Sequence, residues 1–161
     1  MSQIYTSITT PLGAAILRSD GHVLTGLYFL GQRHMPSMTD WQHDPTLDIF
    51  TRASKQLLEY IHGKRQVFDL PYRFTDGTPF QQNVWRALVA IPYGKTVSYG
   101  DLARVLGSPQ AARATGTAIG RNPLTILVPC HRVIGRDGSL TGYAGGLPRK
   151  KDLLALEQKR A

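Results

Sequence analysis

The chain has 161 residues, 42% of them hydrophobic and 19% charged, and no apolar run is long enough to cross a bilayer. Its one cysteine excludes an internal disulfide, and His22, His34, His43 and His62 are scattered away from zinc-site spacing, so no metal and no cofactor are expected. The formal charge of +8 is segregated: residues 1–78 hold seven Lys/Arg and seven Asp/Glu, residues 79–161 twelve and four, which favours a polyanion-binding C-terminal half.

The N-terminal stretch MSQIYTSITTPLG lacks the basic start and apolar run of a secretory signal, so a reducing cytoplasm is the expected location. IYTSI, AAILRS and VLTGLYFL, separated by Pro11-Leu12-Gly13 and Asp20-Gly21, predict a three-stranded antiparallel meander. A covering helix follows, with Asp44 as N-cap, Pro45 in its first turn, Leu47, Phe50, Leu57, Leu58 and Ile61 on one face, and Gly63 as its stop. VFDLPYRFTDGTP reads as a strand or linker ending in a turn, and the domain boundary is placed there, giving domains 1–78 and 79–161.

Three helix starts come next. Thr78 precedes Pro79 with Gln81 at the third helical position, Ser98 has Asp101 there, and Ser108 precedes Pro109. The helix from 79 to 91 carries Phe80, Val84, Trp85, Leu88 and Ile91 on a buried stripe. Helices 99–106 and 109–119, with Gly107 between them, have the layout of a helix-turn-helix. The second is almost without bulk, through Ala111, Ala112, Ala114, Gly116 and Ala118. Close packing on a neighbour and close approach to a narrow groove, with Arg113 as the one long projection, both account for it. TILVP and RVIG predict short strands, Asp137-Gly138 a hairpin turn, TGYAGG a loop, and Pro148–Lys159 a final helix with Leu153, Leu154 and Leu156 inward.

Cys130 lies in Val128-Pro129-Cys130-His131-Arg132-Val133. A lone cysteine is ordinarily an inert small hydrophobe, but the neighbouring His131 and Arg132 would favour the reactive thiolate. On an extended strand Cys130 and His131 would face opposite ways, so a bend or a relaying water is required for the imidazole to serve the thiol.

PCHRV, preceded by GRNP and followed by GYAGG, resembles the active-site signature of the O6-alkylguanine-DNA alkyltransferase (methylated-DNA–protein-cysteine methyltransferase) family. The resemblance extends through FQQNVWRAL, IPYGKTVSYGDLA and AARATGTAIGRNP, and onward to the helix containing Glu157, so it covers the C-terminal half. The N-terminal half agrees in length and strand pattern alone. The resemblance implies an α+β protein, with an N-terminal α/β ribonuclease-H-like domain built on the three-stranded antiparallel sheet and a mainly helical C-terminal winged helix-turn-helix domain.

It also implies roles. Cys130 is similar to the alkyl acceptor, His131 to the base acting on it through a water, Glu157 to the residue orienting that imidazole, and Tyr99 to the hydroxyl protonating guanine N3. Arg113 resembles the finger that replaces a flipped nucleotide, on a recognition helix whose Ala111, Ala112, Thr115 and Gly116, with Tyr99, would meet the minor groove. Asn122 resembles the tie between recognition helix and active-site strand. Val133, Tyr143, Ala144 and Gly145 correspond to the guanine pocket and its support. Ala144 stands where some relatives carry a serine, so the hydrogen bond of that hydroxyl is not expected here. The implied partner is double-stranded DNA containing O6-alkylguanine, with O4-alkylthymine as a second substrate, bound by a monomer; cooperative assembly on DNA is left open. A thioether is a very poor leaving group and no second cysteine can receive the alkyl group, so one turnover is expected. Rival readings are a non-enzymatic DNA-binding module, regulator or damage sensor, and a small-molecule cysteine hydrolase; an intact Cys130 argues against the first and the segregated charge against the second.

Overall fold

The computed structural model describes residues 2–107 and 109–160. Ile4–Thr10 (β1), Gly13–Ser19 (β2) and Leu24–Phe29 (β3) form the antiparallel meander, with Gly13 at φ 122° in the first turn. Where the sequence predicts three strands the sheet has four: Gln42–His43 (β4) pairs parallel to β1, giving the order β3-β2-β1-β4. Two residues are too short to show a period, so nothing in the pattern marks this strand.

Asp48–Ile61 (α1) covers the sheet with Ile49, Phe50, Ala53, Leu57 and Tyr60 inward. It begins later than the sequence predicts, because Asp44 Oδ1 instead accepts from the backbone N–H and hydroxyl of Thr46, at 2.9 and 2.6 Å. That local turn satisfies the carboxylate, and Leu47 is left at the N-cap with no side-chain bond. Gly63, at φ 76°, follows the helix end as expected.

In the C-terminal half, Pro79–Val89 (α2) and Tyr99–Val105 (α3) each start in a complete capping box, Thr78 with Gln81 and Ser98 with Asp101. The third expected cap, Ser108, lies outside the described residues. Pro109–Ala111 form one 3₁₀ turn before Ala112–Gly120 (α4), so the expected single helix is two segments. Buried Trp85 donates its indole N–H to the Ala118 carbonyl at 2.7 Å, joining α2 to α4. Val97–Ser98 (β5) pairs parallel with Val133–Ile134 (β6) as a minimal wing, and Leu147–Arg160 (α5) closes the fold with Leu153 fully buried.

TILVP does not form the expected strand. Asn122 Nδ2 donates to the Val128 carbonyl at 2.7 Å and its Oδ1 accepts from Leu124 N–H at 2.9 Å, folding the loop around one side chain, with Ile126 at φ 70°. This loop is stitched to the N-terminal sheet: Leu27 N–H donates to Pro123 O at 2.8 Å and Thr125 N–H to Leu27 O at 3.1 Å. Phe29, Tyr60, Leu88, Leu124 and Leu153 therefore share one apolar core that runs across both halves. Cys130 comes directly off this anchored loop.

Candidate active site

Cys130–Arg132 form a 3₁₀ turn entered through Pro129. This turn is the bend that an extended strand would have lacked. Cys130 is 3% exposed, with Thr125 Oγ1 4.0 Å from its Sγ and the Thr125 hydroxyl 2.9 Å from Tyr143 Oη. Burial pushes the thiol above its ordinary value, opposed by Asn122, Thr125 and Lys150. The expectation that His131 and Arg132 favour the thiolate is thereby corrected: burial outweighs every cation near it, and Arg132 is engaged elsewhere.

His131 is fully buried, and its Nε2 lies 2.8 Å from Glu157 Oε2. Its Nδ1 is buried with no hydrogen-bond partner among the described residues. Burial lowers the imidazole's affinity for a proton, against the pull of Glu157. Burial alone would raise Glu157, but donors from His131, Arg132 and Tyr60 hold the carboxyl well below the ordinary carboxylate range. Arg132 meets it with two nitrogens, Nε to Oε1 at 2.8 Å and Nη2 to Oε2 at 2.9 Å, and donates Nη1 to Ile91 O at 2.6 Å. The ring's one acceptor is thus Nδ1, provided Nε2 carries the proton that Glu157 accepts.

Above this cluster opens a cavity of about 580 Å³, lined by Tyr99, Ala112, Gly116, Tyr143 and Ala144, and on the N-terminal side by Arg33 and His34. Cys130 does not line it, and Tyr143, which does, connects to Cys130 through the Thr125 hydroxyl. Tyr99 is half-buried at the start of α3, its hydroxyl 3.4 Å from Thr141 O and its ring alongside Gly116, where an added Cβ would lie 3.9 Å from Cδ1. Gly145 has no room for a side chain: a Cβ would come 2.7 Å from the Tyr143 ring. Arg149 holds this loop to the N-terminal sheet, donating to Gly145 O at 2.8 Å and Leu12 O at 2.7 Å.

On α4, Arg113 is exposed and Ala112 is half-buried on the cavity wall, while Ala111, just before the helix, is half-buried. Thr115, expected on the groove-facing surface, is instead fully buried, since its place on α4 faces into the fold. Asn122 is buried in the loop tie described above, and Val133 is buried with its carbonyl accepting Lys150 Nζ at 2.6 Å. Lys150 went unnoticed in the sequence, as did Tyr60 and Thr125. It is fully buried, donates also to Thr141 O at 2.7 Å, and burial lowers it to about 8, opposed by the nearby Cys130. A lysine in a basic terminal helix carries no mark distinguishing it from its solvated neighbours. Among the described residues no group of His, Cys, Asp and Glu could hold a metal ion, and no helix is long and apolar enough to cross a membrane.

Residues 3–74 match the family described as 6-O-methylguanine DNA methyltransferase, ribonuclease-like domain, and residues 79–159 the DNA binding domain of the same name. The chain is 50% identical over 157 residues to the methylated-DNA–protein-cysteine methyltransferase of Mycobacterium tuberculosis, covering 98% of this chain and 93% of that one. It is 46% identical to the constitutive enzyme of that name from Bacillus subtilis, over 93% and 92% of the two chains. Among solved structures, Mycobacterium tuberculosis OGT in complex with DNA superposes with a TM-score of 0.91 at 49% identity, covering 98% and 94%.

Proposed function

The chain belongs to the 6-O-methylguanine DNA methyltransferase family, and from that premise we propose that it repairs DNA by direct reversal, Cys130 taking the alkyl group from O6 of guanine and keeping it. The observation that carries this reading is the buried Cys130–His131–Glu157 cluster beneath an open cavity, with Nδ1 the one uncommitted nitrogen of the imidazole.

The C-terminal half binds duplex DNA, with residues 1–78 as its support; the separate family matches to 3–74 and 79–159 agree with that division. The thin α4 approaches the minor groove, Arg113 takes the place of the extruded nucleotide, and the base enters the cavity between Tyr99 and Tyr143. Extrusion is required because a stacked base keeps its O6 substituent out of a thiol's reach, and it costs a few kcal/mol that protein contacts must offset. The resting thiol is neutral, so it must be deprotonated at the moment of attack. His131 Nδ1 takes the proton through a water, Glu157 stabilises the resulting imidazolium, and Sγ attacks the alkyl carbon. The S–C bond forms as the C–O6 bond breaks, and Tyr99 supplies a proton to N3 of the departing guanine. The same cavity would take O4-alkylthymine, and the protein acts as a monomer.

The test is intact-protein mass after incubation with a duplex carrying one O6-methylguanine, beside Cys130→Ser. A gain of one methyl group in the wild type, mapped to Cys130 and absent from the variant, is expected. Damage-selective binding with unchanged mass would instead make the protein a sensor.

A further inference from the structure

Tyr60 brings a side chain of the N-terminal half into the proton-relay cluster. It sits in the last turn of α1, is fully buried, and its hydroxyl donates to Glu157 Oε2, the same oxygen that meets His131 and Arg132 Nη2. Its oxygen is also 3.4 Å from His131 Nε2. A phenol has one proton, and the shorter contact takes it; burial and the neighbouring Glu157 push Tyr60 well above its ordinary value, so it donates and does not ionise.

Resting on the alkyl-transfer reading above, we infer that Tyr60 is a positioning residue of the repair reaction: its hydroxyl fixes Glu157 Oε2 and so holds His131 with Nδ1 turned to receive the Cys130 proton. The N-terminal domain thereby supplies a working part of the site. Packing alone does not account for the hydroxyl, since Phe would fill the same space against Phe68, 5.3 Å between ring centres, and Tyr93, 6.1 Å. The hydroxyl acts on the balance between carboxylate and imidazole. A buried carboxylate with enough donors remains an anion and leaves the Nε2 proton on the ring. With one donor fewer it is compensated more by His131, which then holds a second proton more tightly.

Among the described residues, the titratable and charged groups that act on this pair are Tyr60 from α1, Arg132 from the active-site turn, Tyr143 from the loop that follows it and Lys150 from α5, with Tyr93 from the segment after α2 acting on Tyr60. Tyr60→Phe leaves all the others in place, so a change in the titration of His131 reports the lost hydroxyl.

The experiment is single-turnover methyl transfer from a saturating O6-methylguanine duplex, followed by rapid quench across pH, for wild type, Tyr60→Phe, Glu157→Gln and the double variant. Thermal unfolding and duplex affinity are measured on each. The expected result for Tyr60→Phe is a rate about three- to tenfold lower, the worth of one hydrogen bond. Its acid limb should be displaced upward by about half to one pH unit, because an imidazole protonated at higher pH cannot accept the thiol proton. Duplex affinity should stay within about twofold, and in the Glu157→Gln background Tyr60→Phe should add nothing, since its path runs through the carboxylate. Wild-type rate and profile in Tyr60→Phe would overturn the inference. So would a slower rate with an unshifted profile that recurs equally in the Glu157→Gln background, because that is a packing effect. A wild type that gains no methyl group removes the repair reading itself, and this inference with it, whereas an active wild type matched by Tyr60→Phe removes only the role of Tyr60.

Discussion

Burial raises the Cys130 thiol, and neither cation beside it in sequence offsets this, because Arg132 is held on Glu157 and burial favours neutral His131. Proximity along the chain is thus a poor guide to electrostatics; the turn at 130–132 decides what each charge meets. Glu157 has the reverse history. On the sequence it is one of many charged residues of a terminal helix, and the family resemblance alone singles it out, yet it is 1% exposed and within reach of donors from four residues, Tyr60, Gly94, His131 and Arg132. Its depressed carboxyl contributes stability fully above its ordinary value of 4.5, and that contribution is lost as pH falls below it. Glu157→Gln should therefore remove this acid-dependent part. At neutral pH it should cost about 3–5 kcal/mol, since Arg132 is left buried without its anion. Urea midpoints of both proteins from about pH 3 to about pH 7 check the two statements together. Gly145 gives a second residue-scale prediction: Gly145→Ala forces a Cβ to 2.7 Å from the Tyr143 ring. The variant should lose about 1–3 kcal/mol in denaturant unfolding, and slower methyl transfer should accompany that loss because the displaced ring forms the cavity wall.

At the scale of elements, what was legible in the sequence was what local chemistry determines. The starts of α2 and α3 are readable because Thr78, Gln81, Ser98 and Asp101 satisfy their own helix ends, whatever the rest of the chain does. Thr78→Ala should accordingly cost about 1 kcal/mol, measured as a shift in the urea midpoint, with no change in transfer rate from the saturated complex. The misread elements are those where a side chain had two local options. Asp44 could cap a helix and instead closes a turn with Thr46; TILVP could pair as a strand and is instead held as a loop by Asn122, whose amide bonds Leu124 and Val128. TILVP has strand composition, but one buried amide with donors and acceptors for both ends of the loop outweighs β-propensity there. The composition of α4 was legible while its orientation was not. Its small residues face both the cavity and the fold, which leaves Thr115 buried and Arg113 exposed.

For the whole molecule, the charge asymmetry is real but smaller on the surface than in the count. Twelve basic residues follow position 78, and of the eleven whose side chains are described Arg132 and Lys150 are buried and Arg149 is tied to Leu12 and Gly145 carbonyls. Arg86, Lys95, Arg104, Arg113, Arg121, Arg136, Lys151 and Lys159 remain exposed, and Arg104 is paired with Asp101. A DNA footprint of about five phosphates is what this set supports, so duplex affinity should fall with a log–log salt slope of about −4 to −5, losing about 10²–10³ between roughly 50 and 200 mM salt. Arg121→Ala, at the cavity rim beside α4, should weaken binding to damaged and undamaged duplex alike and reduce that slope by about one. The rate of methyl transfer from the saturated complex should barely respond to salt over the same range, because His131 and Glu157 are buried beyond the reach of the ionic atmosphere and Cys130 nearly so. Fluorescence anisotropy for binding and single-turnover quench for chemistry separate the two. A transfer rate that fell in parallel with affinity at saturating duplex would mean that phosphate contacts and the buried relay are one coupled unit, and that the division between a binding surface and a sealed reaction centre is wrong.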